Sequence, residues 1–304
     1  VEEVATAQRN LIEGTSSTGF TTTNQTFNGQ DVACIHIAFL LCCKEFLDLV
    51  KKETGLTIET ISSKEESRLA VVGCIPLLNR NIRRALVFDI GGGSTEISLA
   101  RVTNSGKTFI EGFVSLPYGV VTISEAFPSQ DMTALAYDTI IERTHKLLKE
   151  FDEKYNIREA IKNQEIQIIG TSGTVTVLGA VHLNLPRYNR SAVDGISITR
   201  QDIDRAIAKI KRLGDEGRKK HPCIGAQKAD LTMAGCAIIE GLCSFWPIEE
   251  ITVADRGIRE GILLDMMHSN RSKNFYNKRK KFHPPFRRRS ARPENGNPSK
   301  TKQE

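Results

Sequence analysis

From Lys44 onward, apolar residues recur three and four apart through Phe46, Leu47 and Val50 until Gly55 stops them, which predicts an amphipathic helix. The next segment, Leu56-Thr-Ile-Glu-Thr-Ile61, alternates instead and predicts a strand. Between Glu65 and Leu78, Leu69 and Val72 return to helical spacing until Gly73 and Pro76 interrupt. Ala85-Leu-Val-Phe-Asp89 is an apolar run that halts at three glycines, and Glu96-Ile-Ser-Leu-Ala-Arg-Val102 resumes alternation, so a β-hairpin with a glycine tip is expected. Residues 109–115 can add a third antiparallel strand, and residues 138–155 read as a helix through Ile140, Ile141, Leu147, Leu148 and Phe151.

The same grammar continues. Gln164-Glu-Ile-Gln-Ile-Ile169 predicts a strand, Gly170-Thr-Ser-Gly173 a stop, and residues 175–183 a helix. Thr199 opens a further helix through a capping box closed by Asp202. A helix over 228–242, a strand over 250–254, a turn at 255–257 and a closing helix over 258–267 complete the pattern. Strands alternating with helices define an α/β chain. Residues 1–31 are rich in Thr, Ser, Gly and Asn and read as irregular.

Composition changes this picture in two places. The net charge is +6, but residues 269–304 hold twelve Lys/Arg against Glu294 and Glu304, leaving 30 bases against 34 acids in the rest. Basicity therefore belongs to a Pro- and Arg-rich tail, which is expected to be disordered and can contact polyanions. The seven cysteines show no C-x-x-C pair, so reduced, packed thiols in a cytosolic protein are the expectation. No signal peptide opens the chain, and the longest apolar run, residues 32–43, is too short to span a bilayer, so no membrane role is expected. The six histidines form no metal-binding spacing, and Trp246 reads as packing.

Asp89-Ile-Gly-Gly-Gly-Ser-Thr-Glu96 is the strongest chemical signal. Three glycines allow positive backbone dihedral angles and close approach, so successive amides of Gly91, Gly92 and Gly93 can face one anion while Ser94 and Thr95 add hydroxyls. Asp89 and Glu96 close the two strands and can hold a hard cation such as Mg²⁺. Ser172, Gly173 and Thr174 form a second anion candidate between a strand and a helix. In Lys64-Glu-Glu-Ser-Arg68, one carboxylate facing that pocket can activate a water, and the residues alone do not choose between Glu65 and Glu66.

These segments, with Asp255-Arg-Gly-Ile-Arg-Glu-Gly-Ile262, occur in an order that resembles the exopolyphosphatase and guanosine pentaphosphate phosphohydrolase family over residues 44–268, most like its short bacterial form. The resemblance implies an actin-like, sugar-kinase-like ATPase fold of two α/β lobes facing a cleft. It also implies Mg²⁺-dependent release of terminal orthophosphate from inorganic polyphosphate or of the 5′ γ-phosphate of guanosine pentaphosphate. Glu66 matches the family's water-activating acid, and Asp89 and Glu96 its metal-side carboxylates. Gly91, Gly92, Gly93, Ser94 and Thr95 match its phosphate loop, and Ser172, Gly173 and Thr174 the loop of the second lobe.

The pattern departs at the front. No Asp-x-Gly-Ser-Asn-Ser loop occurs in residues 1–43, and Ile35-His-Ile-Ala-Phe-Leu-Leu-Cys-Cys43 stands where the family has Ala-Thr-x-Ala-x-Arg. Four regions are therefore expected: a non-matching irregular segment over 1–43, the remainder of the first lobe over 44–84, a second α/β lobe with the phosphate loop over 85–268, and the basic tail over 269–304. A lobe lacking its opening strands leaves sheet edge and apolar surface uncovered, which invites association such as a homodimer. The leading reading is a phosphoanhydride hydrolase with weak or no turnover by this chain alone. The alternative is a relative that binds polyphosphate or a phosphorylated nucleotide without cleaving it.

Overall fold

The computed structural model describes residues 20–27, 30–37, 43–103, 108–127 and 132–267. The chain divides into two units, Val1–Asp265 and Met266–Glu304. The fold below is that of the first. Of the second, only Met266 and Met267 are described, both helical. The expected tail and its polyanion contact lie outside the described residues.

The front of the chain departs from expectation. Instead of an irregular 1–43 segment, β1 (Phe20–Phe27) and β2 (Gln30–Ile37) form a two-stranded antiparallel sheet with Phe27 opposite Gln30. Threonine is β-branched and favours strands. Asn28-Gly29, between the two strands in sequence, is a favoured hairpin pair. Polar composition had masked both signals. Helix α1 (Cys43–Thr54) then ends at Gly55, whose φ of 73° needs a residue without Cβ and whose amide reaches the Lys51 carbonyl at 3.0 Å. The strand expected over residues 56–61 does not form. Leu56 and Ile61 are 52% and 48% exposed, and among the described residues no strand pairs with this segment. Alternation makes a strand only where a partner supplies the ladder.

Helix α2 (Ser63–Cys74) starts on Ser62, whose hydroxyl accepts from the Glu65 amide at 3.2 Å, and passes into a 3₁₀ turn, Ile75–Leu77, at Pro76. The sheet strands are β3 (Arg84–Ile90), β4 (Thr95–Val102), β5 (Thr108–Leu116), β6 (Ile166–Thr171), β7 (Ser197–Thr199) and β8 (Glu250–Ala254), in spatial order β5-β4-β3-β6-β8-β7. The central β3, β6 and β8 run parallel, and the flanking pairings are antiparallel. The expected glycine-tipped hairpin, third antiparallel strand and later strand are all present.

Helices clothe both faces. One face carries α3 (Val120–Ala126), α4 (Ala134–Tyr155), α5 (Ile157–Lys162), α6 (Gly173–His182), α7 (Arg190–Val193), α8 (Arg200–Lys220) and α9 (Ala226–Phe245). Leu86, Phe88, Ile97, Leu99 and Ile168 bury there with Leu148, Val177, Ile203 and Ile239. Trp246 closes this core and donates its indole N–H to Asp152 at 2.8 Å, the packing role expected of it. The other face is thinner: Ala85, Val87, Ala100, Val102, Ile169 and Ala254 bury against Val71, Cys74 and Leu78. Residues on either side of the expected 84/85 boundary thus share one core.

A second helix lies on α2. Residues 258–267 are helical, here α10, and a Cβ placed on Gly73 would sit 2.2 Å from the Gly257 carbonyl oxygen. One placed on Gly261 would sit 1.9 Å from the Leu69 carbonyl oxygen. These contacts are backbone on backbone, which only glycine allows. Among the described residues no helix is long and apolar enough to cross a membrane. Cys74, Cys223, Cys236 and Cys243 are free and buried, and burial pushes the Cys236 and Cys243 thiols up to about 12, so they are packing groups as expected.

Candidate functional site

Strand alternation decides which predicted residues meet. Asp89 pairs directly with Glu96 across β3 and β4, and with Thr171 across β3 and β6. Cross-strand partners share a face, so Asp89, Glu96 and Thr171 lie on the α2 side, one row beyond the Val87, Ser98 and Ile169 row. Glu96 is buried and accepts from Ser115 Oγ at 3.1 Å. Asp89 and Glu96 are hard oxygen donors at adjoining strand ends, the pair that Mg²⁺ takes together with waters and phosphate oxygens. Among the described residues no group of three or more His, Cys, Asp or Glu side chains that could hold a metal ion occurs.

The glycine loop is held from behind. The amide of Val120 donates to the Gly91 carbonyl at 2.9 Å, and those of Val121 and Thr122 to the Gly92 carbonyl at 2.9 and 3.2 Å. A trans peptide directs its N–H opposite to its C=O, so tying back these two carbonyls turns the amides of Gly92 and Gly93 away from α3. Neither amide has an acceptor among the described residues. Positive dihedral angles were expected here, and the structure corrects this: none of Gly91, Gly92 and Gly93 is among the positive-φ residues. What the sequence provides is closeness. A Cβ on Gly119 would lie 2.2 Å from the Gly91 oxygen and 2.6 Å from the Gly92 oxygen, and one on Gly92 would lie 3.2 Å from Val121 Cγ2.

Two expected hydroxyl donors point elsewhere. Thr95 pairs with Ile90, which places it on the opposite face from Asp89 and Glu96, and its buried hydroxyl donates to the Tyr118 carbonyl at 3.0 Å. The Thr174 side chain is buried against α9, where a Cβ on Gly235 would meet its Oγ1 at 2.1 Å. Both face away because they follow the strand or helix periodicity rather than the loop. Ser94 remains half-buried in the loop and accepts the Gly91 amide through its carbonyl at 2.9 Å.

In the second loop, Ser172 caps α6 by accepting the Val175 amide at 3.2 Å, which leaves the Gly173 and Thr174 amides at the positive end of the helix without acceptors among the described residues. Lys228 Nζ lies 4.0 Å from where a Gly173 Cβ would be. This lysine escaped the sequence reading. The available signal was its place in the first turn of α9, where a cation opposes the helix dipole and calls for a compensating role.

The two glutamates of α2 are not equivalent. Glu65 is gripped by Arg68 through Nε at 2.8 Å and Nη2 at 2.7 Å, and Arg68 also reaches Asp265 at 3.0 Å. That guanidinium holds the Glu65 carboxyl below its usual range, a poor base already occupied. Glu66 shares a helix side with Gly73, two turns on, and Gly73 abuts Gly257 beyond the end of β8. That side of α2 meets the 255–257 turn and α10. Ser67 Oγ and Ser98 Oγ, both buried, meet at 2.6 Å and fix the helix to β4.

The 255–257 turn is held from α7 and its flanks. Asp194 accepts from Arg256 Nη2 at 2.6 Å and Nε at 2.8 Å and from the Asp255 amide at 3.0 Å. Tyr188 donates to Asp255 Oδ2 at 2.6 Å, and Arg190 donates to Glu260 Oε1 at 2.7 Å. Burial pushes the Glu260 carboxyl up, but Arg190 and the Gly257 amide outweigh it and hold it below its ordinary value.

A six-stranded sheet clothed on both faces, with glycine-containing loops after β3 and β6 at one pole, is an α/β fold of the actin-like ATPase type. The model of the Ppx/GppA phosphatase family matches residues 43–270, and the chain belongs to that family. A family member from Aquifex aeolicus superimposes with a TM-score of 0.62 at 28% identity, covering 76% of this chain and 71% of that one. An exopolyphosphatase from Cytophaga hutchinsonii gives a TM-score of 0.64 at 21% identity, covering 74% and 70%. A bifunctional 3-dehydroquinate synthase/phosphatase of Fusobacterium nucleatum is 26% identical over 222 residues, 72% of this chain. The chain spans about a third (32%) of the length of that curated relative.

Proposed function

We propose that this chain carries the second-lobe half of a phosphoanhydride hydrolase site, acting with Mg²⁺ on the terminal phosphate of inorganic polyphosphate or the 5′ γ-phosphate of guanosine pentaphosphate. The observation that carries the reading is the direct pairing of Asp89 with Glu96 around a loop whose amides are turned outward, on the sheet face covered by the Glu66 helix. The amides of Gly92, Gly93, Gly173 and Thr174, with Lys228, would hold the oxygens of the transferred phosphoryl group. Such fixed donors are the main source of catalysis in phosphoryl transfer. Glu66 would take a proton from water as the water oxygen bonds to phosphorus and the bond to the leaving phosphate oxygen breaks. Mg²⁺ at Asp89 and Glu96 would neutralise charge on the phosphate oxygens when bound.

The test is orthophosphate release from tripolyphosphate and guanosine pentaphosphate by the purified chain with Mg²⁺. Slow release that Glu66→Gln abolishes, and that Asp89→Asn reduces while raising the Mg²⁺ requirement, is expected. Release indifferent to Glu66→Gln would overturn the mechanism. A second reading is that the chain binds the phosphate chain without cleaving it. Tight Mg²⁺-dependent tripolyphosphate binding with no release would select it.

A further inference from the structure

We propose that Tyr188 is a shelf for the base of a nucleoside polyphosphate whose phosphate chain lies along the 172–174 loop, a reading that rests on the phosphate site proposed above. Tyr188 is 36% exposed, yet its hydroxyl is fixed by donation to Asp255 Oδ2 at 2.6 Å. A surface aromatic anchored at its polar end keeps its ring in one orientation, so it can bind a flat partner with little ordering cost.

One cation joins the ring to that loop. Lys228 Nζ is 5.9 Å from the Tyr188 ring centroid and 4.0 Å from the Gly173 Cβ position, and it makes no ion pair among the described residues. An ammonium between outward amides and an aromatic face, lacking a carboxylate of its own, suits a ligand with an anionic chain and a planar end. The spacing agrees. β3, β6 and β8 are consecutive neighbours, so the turn holding Tyr188 lies about 10 Å, two strand spacings, from Asp89. The terminal phosphate and the base of one extended nucleotide can therefore occupy the two ends. Inorganic polyphosphate has nothing to place on the ring.

The experiment compares guanosine 5′-triphosphate with inorganic tripolyphosphate by calorimetry on the full chain with Mg²⁺, so that phosphate count is matched. Base stacking on an aromatic is expected to make the nucleotide bind about tenfold tighter. Tyr188→Ala should remove that preference and leave tripolyphosphate binding unchanged, while Tyr188→Phe should keep most of it because the ring remains. Equal affinities in the parent chain, or a Tyr188→Ala loss shared by both ligands, would overturn the shelf and leave the phosphate site standing. Failure of both ligands to bind would sink the phosphate site and the shelf with it.

Discussion

The two glycine loops turn backbone amides outward by opposite routes. After β6 the chain enters a helix at once, so the Gly173 and Thr174 amides are exposed by the ordinary incompleteness of a helix start, and Lys228 comes from another helix. After β3 the chain turns back into β4, and the loop does not itself open a helix. There the amides face outward because the first turn of α3 holds the loop carbonyls from behind. The first loop is flanked by the carboxylates of Asp89 and Glu96 and the second by Lys228, which fits the cation and anion roles proposed for them. One loop is made by local sequence and the other by a helix thirty residues away, so they should fail differently under mutation.

The largest effect should come from Gly119→Ala. Its Cβ would meet backbone oxygens at 2.2 and 2.6 Å, so the loop must move. Overpacking of this kind costs ~1–3 kcal/mol. A lower melting temperature with loss of most Mg²⁺-dependent tripolyphosphate binding is expected; unchanged binding would show that the carbonyl anchoring does not matter. Next, Lys228→Ala should weaken tripolyphosphate several-fold and flatten its salt dependence without lowering the melting temperature, because the side chain is exposed. A loss of stability instead would place Lys228 in the scaffold.

Gly173→Ala should do less than Gly119→Ala. The nearest atom is the tip of a flexible lysine at 4.0 Å, so stability should stay within ~0.5 kcal/mol while anion affinity falls modestly. If both alanine variants behave alike, the distinction between the loops fails.

Most of this contrast was hidden in the sequence for a definite reason. The strand ends, the glycine runs and the facing of Asp89 and Glu96 follow from periodicity and are legible. Thr95 and Thr174 were assigned to the loops by adjacency, whereas alternation in β4 and the inward turn of α6 carry their side chains into the core. Lys228 and Tyr188 come from distant segments, and no spacing rule connects them to residues 172–174. The residues alone left Glu65 and Glu66 open and the resemblance pointed to Glu66; the structure adds that Glu65 is held by Arg68, which also reaches Asp265. The 56–61 segment shows the opposite error: its alternation is real, but the ladder it implies is missing among the described residues.

The smallest expected effect concerns that clasp. The Arg68 contact depresses the Glu65 carboxyl, so its stabilisation is complete above the ordinary glutamate range and is lost as pH falls through the depressed value. Hydrogen exchange in α2 should rise at acid pH in the parent chain and vary less in Glu65→Gln; identical profiles would remove Glu65 from the account.

The seating of α2 on α10 has a consequence for how this region can evolve. With the Gly73–Gly257 and Leu69–Gly261 contacts made by main chain alone, no intervening side chain can be swapped to retune the gap. The proposed proton acceptor therefore rides on a joint with almost no adjustable parts. Variation that shifts its position has to come from the far ends of the two helices, where Arg68 and Asp265 meet near solvent.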